Sequence, residues 1–338
     1  MLEIETKGTW YEMGQQVGKM FEKDLRRCLK RFLPFLPKNE AKIKNACSAI
    51  RTMAENIYPS LLEETTGMAD GAGLDEVLLF RYRFYCDLVR MARNTCSAFF
   101  ALDDDGNPWV GRTCDIEPED HWCQICQVRR PKGETATITV TYLGMITSMG
   151  MNTHGFCLAG VSAQGKHPGR QGIPVTLLLF KALNKAINLN TARRIITSQP
   201  TTGSGVYVAA DTTGASCLLE CGLESHIAVT PRAEGKTWQA CTNFYPSGQV
   251  LHPKNPNYLY NAYARYGRLR HMLDDGLLKR NINGFQGLLA DVSQPGPLSP
   301  KGACNLQTAY STLFDVKRKI MYLTPGNPNT TARKRKML

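Results

Sequence analysis

The character of the sequence changes at Cys96, and this change limits the folds that the chain can adopt. Residues 1–95 read mainly as helix, with Met13, Val17 and Phe21 close to a 3.6-residue period. After Cys96, short strands bounded by Gly, Pro or Asn predominate. Because helices and strands come in separate runs, the sequence predicts an α+β layered fold instead of a doubly wound parallel sheet.

The periodicities also predict individual elements. We expect a helix up to about residue 93, a hairpin turn at 103–107, and close packing of the face that carries Gly14 and Gly18. Strands are expected at 97–102, 109–112, 135–149, 155–162, 205–221, 226–242 and 311–324, and helices at 174–198, with Thr191 as a second N-cap, and at 256–279. The whole chain, 1–338, is predicted to form a single domain.

Composition excludes several classes of protein. Hydrophobic residues make up 43% of the 338 residues and charged residues 21%, which excludes disordered and collagen-like chains. No apolar run approaches the roughly 18 residues that a membrane-spanning helix needs. The acidic start, Met1-Leu2-Glu3-Ile4-Glu5, lacks the apolar region of a secretory signal, so we expect a cytoplasmic protein without membrane partners.

The formal net charge of +12 has two readings. The excess is concentrated in Arg26, Arg27, Lys30 and Arg31 and in the tail at 333–336, which read as a solvated helix face and a frayed basic end. Stacking aromatics and nucleic-acid-binding motifs are absent from these stretches, so no nucleic-acid partner is predicted. A weaker alternative is that the charge attracts an anionic acyl donor such as a coenzyme A ester.

The twelve cysteines are scattered and read mostly as free, buried thiols. Cys123 and Cys126 form a CxxC in an expected strand, where residues three apart point to opposite faces. No second Cys or His pair has zinc spacing. We therefore predict neither a metal nor another cofactor.

Cys96 opens a strand directly after a helical segment and is the candidate nucleophile. The hairpin that follows ends in Gly111-Arg112-Thr113-Cys114-Asp115 and folds back on the strand, so Arg112 and Asp115 can lie beside Cys96. A neighbouring guanidinium favours the thiolate, the nucleophilic form. The alternative is a cysteine that merely packs in the core.

The cysteine-opened strand, the turn and Gly-Arg-x-x-Asp resemble the choloylglycine hydrolase and penicillin V acylase group. Arg112 and Asp115 follow Cys96 by the 16 and 19 residues expected for that group. The chain is also similar to the acyl-CoA:6-aminopenicillanic acid acyltransferase family, peptidase family C45. Matches in the order of that family are Tyr11-Glu-Met-Gly14-x-x-x-Gly18, Gly150-Met-Asn-Thr-His-Gly155, Ala210-Asp211-Thr-Thr-Gly214 with Glu220, Thr242-Asn243-Phe244, Tyr263-Ala-Arg265-Tyr-Gly-Arg268-Leu-Arg270, Thr308-Ala-Tyr-Ser311-Thr-Leu-Phe-Asp315 and Pro325-Gly326-Asn-Pro328.

The resemblance implies an αββα four-layer sandwich of the N-terminal nucleophile type, with a helical N-terminal segment. It also implies self-cleavage between Thr95 and Cys96 into an N-terminal chain, 1–95, and a catalytic chain, 96–338. Once Cys96 is a chain terminus, its α-amine, with a pKa of about 7.7–8.0, can act as general base for its own thiol. The enzyme then needs no catalytic histidine.

The resemblance assigns roles to three more residues. The side-chain amide of Asn243 would donate to the oxyanion of the tetrahedral intermediate. Backbone N–H groups near Ser162 would supply a second donor, with Ser162 at the substrate. An arginine on the 256–279 helix would reach the substrate; we favour Arg265 over Arg268, and Ala262 stands where relatives often have serine.

The sequence leaves several alternatives open. The enzyme would be a hydrolase or an acyltransferase, acting on a small acyl amide or an acyl-CoA, with its own cleaved fragment as partner. Thr95 stands where many relatives have glycine, and this favours an uncleaved, non-catalytic small-molecule-binding protein on the same fold. The acyl donor and acceptor and the formation of a homo-oligomer are not decided by these residues.

Overall fold

A computed structural model describes residues 1–89, 95–146, 149–163, 172–223, 226–248, 256–274, 276–293 and 306–338. The last residues of the helix expected to reach residue 93, and parts of the expected strand at 135–149 and helix at 256–279, lie outside these ranges.

Two large sheets form the centre of the fold. In sheet A the strand order is β1 (Leu2–Gly8), β4 (Gln124–Pro131), β5 (Thr137–Tyr142), β6 (Gly150–Asn152), β7 (Cys157–Val161), β10 (Gly205–Ala210), β11 (Ser216–Leu223) and β12 (His226–Pro231). In sheet B it is β13 (Trp238–Thr242), β2 (Thr95–Leu102), β3 (Pro108–Ile116), β14 (Gln307–Asp315), β15 (Ile320–Pro325) and β16 (Lys334–Met337). Only β1 and β4 pair in parallel within these sheets as described; β8 (Ile173–Pro174) and β9 (Thr201–Thr202) form a separate parallel pair.

The sheets pack face to face over a core of apolar side chains. Ala98, Phe100 and Val110 from sheet B contact Val140 and Val208 from sheet A in this inter-sheet core. Because side chains alternate along a strand, the intervening residues of the same strands face outward. Each sheet therefore presents a second apolar face, which a helical layer covers.

Helices cover both outer faces. Those on the sheet A side are α1 (Trp10–Met20), α2 (Glu22–Phe32), α3 (Glu40–Ile57), α4 (Ser60–Ala72), α5 (Glu76–Arg83), α6 (Tyr85–Val89), α7 (Val175–Lys185) and α8 (Leu189–Ile196). On sheet B, α9 (Pro256–Asp274) and α10 (Ile282–Leu289) pack on Phe99 and Trp109. The four layers confirm the predicted αββα sandwich.

Glycines set the distance between α1 and α4, as the spacing of Gly14 and Gly18 predicts. A Cβ on Gly14 would lie 2.1 Å from the carbonyl oxygen of Glu64, and one on Gly67 would lie 2.0 Å from that of Tyr11. Real Cβ atoms do not approach backbone oxygens so closely, so the two helices pack backbone against backbone at these positions.

Replacing Gly67 with alanine should therefore destabilise the protein by about 1–3 kcal/mol, because the added methyl group overpacks a rigid contact. Gly287 on α10 is the matched control, since a Cβ there meets nothing within 4 Å. Gly287→Ala should instead raise the free energy of unfolding by about 0.5–1 kcal/mol. Urea denaturation of both variants checks this, and equal effects would contradict the packing argument.

A buried ion triad ties the N-terminal helices to sheet A. The Glu64 carboxylate on α4 accepts a hydrogen bond from Arg83 on α5 at 2.6 Å and one from Arg129 on β4 at 2.7 Å. Against the effect of burial, the two guanidiniums lower the pKa of Glu64 to about 2. Together with the pairing of β1 and β4, the triad joins residues before and after position 96.

The structure corrects several expectations near the chain ends. Residues Leu2–Gly8 form a strand instead of helix, because β4 offers them a parallel edge to pair with. The tail is not a frayed end: Lys334–Met337 pairs with β15, and Lys334 and Lys336 form ion pairs with Glu3 at 2.6 and 2.5 Å.

Two internal expectations are also corrected. The second N-cap is Asn188, not Thr191, because the Asn188 side chain accepts the Thr191 N–H. The stretch 226–242 is not one strand but two, β12 in sheet A and β13 in sheet B. The Gly235 turn between them, with a φ of 73°, lets the chain cross from one sheet to the other.

The turn at 103–107 forms as predicted and aligns the hairpin that carries Cys96. The Asp103 carboxylate accepts hydrogen bonds from the backbone N–H groups of Asp105 and Asn107 at 3.0 and 2.7 Å and from the Trp109 indole at 2.9 Å. The acidic run is thus a turn, in which the carboxylate of its first residue accepts backbone N–H groups that have no strand partner.

No helix in the described residues is both long and apolar enough to cross a bilayer.

Candidate active site

Cys96 is buried at the start of β2. The hairpin places the side chains of Arg112 and Cys114 on the same face of the sheet as the Cys96 sulphur. Cys96 is opposite Cys114 in the ladder with β3, and Ala98 is opposite Arg112. Residues 112 and 114 point to the same face because side chains alternate along β3. Cys96 is 2% exposed and Cys114 3% exposed, both within the inter-sheet core.

The Arg112 guanidinium is fixed beside the Cys96 sulphur. Its Nη2 lies 3.6 Å from Sγ of Cys96. Its Nε donates to the Gly160 carbonyl on β7 at 2.8 Å, and its Nη1 donates to the Tyr310 hydroxyl on β14 at 2.6 Å. The structure thus brings together the cation and the thiol that the hairpin pattern pairs, and anchors the cation to both sheets.

The pKa values of the Cys96 and Cys114 thiols are shifted in opposite directions. The hydrogen bond with Cys114, followed by burial, raises the pKa of Cys96 well above its usual value, and Arg112 opposes this only in part. Contact with Cys96, then with Arg112 and Tyr310, lowers the pKa of Cys114 to about 5 despite burial. The sequence led us to expect a thiolate on Cys96; in the uncut chain the neighbouring Cys114 and burial instead favour the neutral thiol of Cys96.

The backbone of Cys96 is held by Asn243 and Arg265. The Cys96 N–H, part of the peptide bond with Thr95, donates to Oδ1 of Asn243 at 2.9 Å. Arg265 donates to the Cys96 carbonyl oxygen, to the Ser97 hydroxyl at 2.9 Å and to Asn243 Oδ1 at 2.7 Å. The side-chain oxygen of Asn243 therefore contacts the nitrogen of the peptide bond that cleavage would break.

Ser162 lies on the other side of the Asn243 amide. Nδ2 of Asn243 donates to the Ser162 carbonyl oxygen at 2.7 Å and reaches its hydroxyl at 3.3 Å. The amide thus connects the Cys96 backbone to the chain segment that follows β7. Its predicted oxyanion role and the substrate role of Ser162 stay predictions.

Asp115 lies beside Thr95 and not beside the Cys96 sulphur. It alternates with Cys114 and therefore faces the opposite side of β3. Its carboxyl accepts hydrogen bonds from the hydroxyls of Thr308 at 2.6 Å and Thr95 at 3.2 Å. Burial raises the pKa of Asp115 to about 7, although Arg265, Thr308 and Thr95 act in the opposite direction.

The two arginines of α9 point in different directions. Arg265 is 1% exposed and turned towards β2. Arg268 pairs instead with Asp291 at 2.6 Å. Of the two, Arg265 is the one at the candidate site, as we favoured, but it donates hydrogen bonds to the protein around Cys96, so substrate binding by Arg265 stays a prediction.

A cavity of about 180 Å³ opens beside the Cys96 sulphur. Its wall is mixed: Arg112, Cys114 and Tyr310 line it near Cys96, whereas Met145, Ile146, Met149, Val175 and Tyr207 give it an apolar side. Ser162 also lines it. A nucleophile at one end of a mainly apolar cavity can attack a small molecule with an apolar acyl group.

The N-terminal segment contributes to this cavity through α6. Asp87 lines the wall, and its carboxylate accepts a hydrogen bond from the Thr176 hydroxyl at 2.8 Å. Burial raises the pKa of Asp87 to about 7. The pocket is therefore built from residues on both sides of the Thr95–Cys96 bond.

Sequence reasoning missed Cys114, Tyr310 and Asp87. Cys114 could have been found, because it follows Arg112 by two residues and therefore shares its face. Tyr310 and Asp87 carry no local signal, since the pairing of β14 with β3 brings Tyr310 to the cavity and the position of α6 brings Asp87 there. Cys123 and Cys126 lie in different cores, but Cys123 ends a short 3-10 helix and only Cys126 lies in the strand β4, in which both were expected. The described residues contain no group of three potential metal ligands.

Comparisons with known proteins were made on both structure and sequence. Similar solved structures include an orthologue of N-acylethanolamine-hydrolyzing acid amidase from Caenorhabditis elegans (12% identity, TM-score 0.46, 72% of this chain and 100% of that chain). They also include penicillin V acylase from Agrobacterium tumefaciens (14%, 0.43, 72% and 86%) and a mutant of conjugated bile acid hydrolase from Clostridium perfringens (14%, 0.41, 72% and 97%). A search of curated proteins returns no match.

The family comparison is decisive. The sequence model of the acyl-coenzyme A:6-aminopenicillanic acid acyl-transferase family matches residues 102–330, well over half of the chain. The match begins just after Cys96 and includes Arg112, Asp115, Asn243 and Arg265. This chain therefore belongs to the acyl-coenzyme A:6-aminopenicillanic acid acyl-transferase family.

Proposed function

We propose that this protein is a self-processing cysteine amidohydrolase or acyltransferase of the N-terminal nucleophile type. It cleaves its own Thr95–Cys96 bond and then uses Cys96 to form a thioester acyl-enzyme from an amide or thioester substrate. The observation that carries the proposal is that the Cys96 sulphur faces a cavity while the N–H of the same residue is bound by Asn243. One residue thus presents both a nucleophile and the bond to be cut.

Family membership supports an enzyme that transfers or hydrolyses acyl groups. The cavity supports a small substrate with an apolar acyl group, because Met145, Met149 and Val175 line one side of it. The charged end is Arg112 beside Cys96. We therefore place the acyl chain along the apolar wall and the reacting carbonyl between Cys96 and Ser162.

In the processed enzyme the α-amine of Cys96 would stay where its peptide N–H now lies, next to Oδ1 of Asn243. That amine would take the thiol proton as the sulphur attacks the substrate carbonyl. The amide of Asn243, which faces Ser162 at the cavity wall, would stabilise the oxyanion. Water or an acceptor amine would then release the acyl group, giving hydrolysis or transfer respectively.

Intact mass spectrometry of the purified protein tests the proposal. We expect two chains, one beginning at Cys96 and the other ending at Thr95. They should elute together in size-exclusion chromatography, because the Glu64 triad and the pairing of β1 with β4 join residues 1–95 to the rest. A protein that stays whole after purification and incubation would favour the alternative, a non-catalytic binding protein on the same fold.

Turnover should rise with pH through an apparent pKa close to about 7.7–8.0, the usual range for an α-amine, because neighbouring groups of both charges act on it. Arg112 and Arg265 both contact Cys96 and disfavour an ammonium ion there. The Cys114 thiolate and Asp115 act the other way, although burial raises the pKa of Asp115 to about 7, so its carboxyl is protonated below that pH. Only the unprotonated amine accepts the thiol proton, so activity is lost as the pH falls.

A pH profile of kcat/KM on a chromogenic acyl anilide measures this value. As a control, the amine is acetylated while the thiol is reversibly protected and then freed. Acetylation should abolish turnover. Full activity after acetylation would place the base elsewhere, in which case a histidine-assisted mechanism becomes the better explanation.

A further inference from the structure

The processed enzyme can use the α-amine of Cys96 as its base, but self-cleavage takes place before that amine exists and needs another base. Before the bond is cut, the nitrogen of Cys96 belongs to a peptide and donates its proton to Asn243, so it cannot accept a proton from the thiol. The described lining of the cavity contains no histidine. Within the described part of the chain, the base must therefore be another group close to the Cys96 sulphur.

Cys114 is the titratable group whose position fits. It is directly opposite Cys96 in the β2–β3 ladder, buried in the same core, and lines the same cavity. Asp115 points to the other face of β3, towards Thr95 and Thr308. Asp87 is bound to the Thr176 hydroxyl.

The surroundings of Cys114 favour its ionised form. Arg112, on the same face of β3, and Tyr310, opposite Cys114 on β14, help to lower the pKa of Cys114 to about 5. The other titratable groups that act on it are Cys96, Asp115 and Tyr142. At neutral pH the two sulphurs therefore hold one proton between them, with the charge balanced by Arg112.

We propose that Cys114 is a catalytic residue of self-cleavage, which as a thiolate removes the proton from Cys96 in the uncut chain. This inference rests on the proposed function and adds a second thiol to it. Because the two groups are chemically alike and in contact, moving the proton between them needs no outside reagent.

The steps balance as follows. The proton moves from Cys96 Sγ to Cys114 Sγ, and the Cys96 thiolate bonds to the carbonyl carbon of Thr95. The resulting oxyanion re-forms the carbonyl as the C–N bond breaks, and the Cys96 nitrogen takes the proton from Cys114. Water then opens the thioester and its remaining proton passes to the new amine, which leaves a carboxylate on Thr95, a thiol and an α-ammonium group on Cys96, and the thiolate on Cys114.

The test follows cleavage of full-length chains made by cell-free translation, chased over time and resolved on a denaturing gel. Cys114→Ser keeps the size of the side chain but removes the acidic thiol, so cleavage should slow by about 10²–10⁴-fold, the usual contribution of a general base. Cys114→Ala should slow it to the same extent. The matched control is Cys157→Ser, another buried thiol of the inter-sheet core whose pKa is raised by burial.

The pH dependence separates a base from a structural residue. Wild-type cleavage should be nearly constant above about pH 6 and fall below pH 5, following the pKa of about 5 for Cys114. The Cys114→Ser rate should instead rise with pH, because hydroxide must replace the thiolate. Cys114→Asp, which restores an anion, should recover part of the rate near neutral pH.

The outcomes are distinguishable. If wild-type chains are cut and Cys114→Ser chains are cut at the same rate with the same pH profile, the role of Cys114 is overturned while the proposed function stands. If Cys157→Ser slows cleavage as much as Cys114→Ser, the effect comes from packing and the inference is also overturned. Wild-type chains that stay whole would refute both proposals.

Discussion

Replacing Cys96 with alanine is expected to leave the chain whole and to abolish turnover. The substitution removes the sulphur that faces the cavity and leaves the Cys96 N–H contact with Asn243 available to the new residue. Without a nucleophile, neither the Thr95 carbonyl nor a substrate carbonyl can be converted to a thioester. The loss should therefore be complete within detection, and it is measured by intact mass and by an acyl-release assay.

The control for this variant is Cys241→Ala, which removes another buried thiol of the inter-sheet core. It should still be cut and active, with a loss only of stability. Similar thermal unfolding of Cys96→Ala and wild type would show that the inactive variant is folded. Cleavage that persists in Cys96→Ala would contradict self-processing and point to an external protease.

Replacing Asn243 with alanine is expected to lower kcat by about 10²–10³-fold, the usual cost of losing one oxyanion donor. The structure adds a second reason for a large effect. Oδ1 of Asn243 accepts from both the Cys96 N–H and Arg265, so its removal also releases the group that becomes the α-amine. We expect slower self-cleavage as well as slower turnover.

Turnover is measured per cut chain, so that the two effects are separated. Asn184→Ala is the matched control, because Asn184 is equally buried and its amide donates to the Phe180 carbonyl of its own helix at 2.8 Å. Its kcat should match that of the wild type. A folded and cut Asn243→Ala enzyme with normal kcat would remove Asn243 from the mechanism.

Much of the fold was predictable because its signals are local. The separate runs of helix and strand predict the layers, and the Gly14 and Gly18 spacing predicts the close contact that the helices make. The predictions of secondary structure are wrong where a segment distant in sequence determines the structure. Leu2–Gly8 forms a strand because β4 is available, and 226–242 divides between two sheets because the chain crosses the sandwich there.

The contacts of the candidate site also fall into two groups, those that the local sequence predicts and those that depend on distant segments. The sequence by itself determined that Arg112 meets Cys96, because a hairpin with its turn at 103–107 fixes which residues are opposite each other and the alternation of side chains fixes their face. The same alternation also predicts that Cys114 lies on the face that carries Arg112. These contacts depend only on residues within one hairpin.

Only the tertiary structure decided the rest. Pairing of β14 with β3 brings Tyr310 to Arg112, and packing of sheet A on sheet B brings Gly160 there. The end of β13 carries Asn243 to the Cys96 N–H, and α6 places Asp87 in the cavity wall. Each of these contacts joins segments far apart in sequence, and their register depends on how apolar faces fit together across the sandwich. No local periodicity encodes that fit, so only the tertiary structure anchors the Arg112 guanidinium through Gly160 and Tyr310.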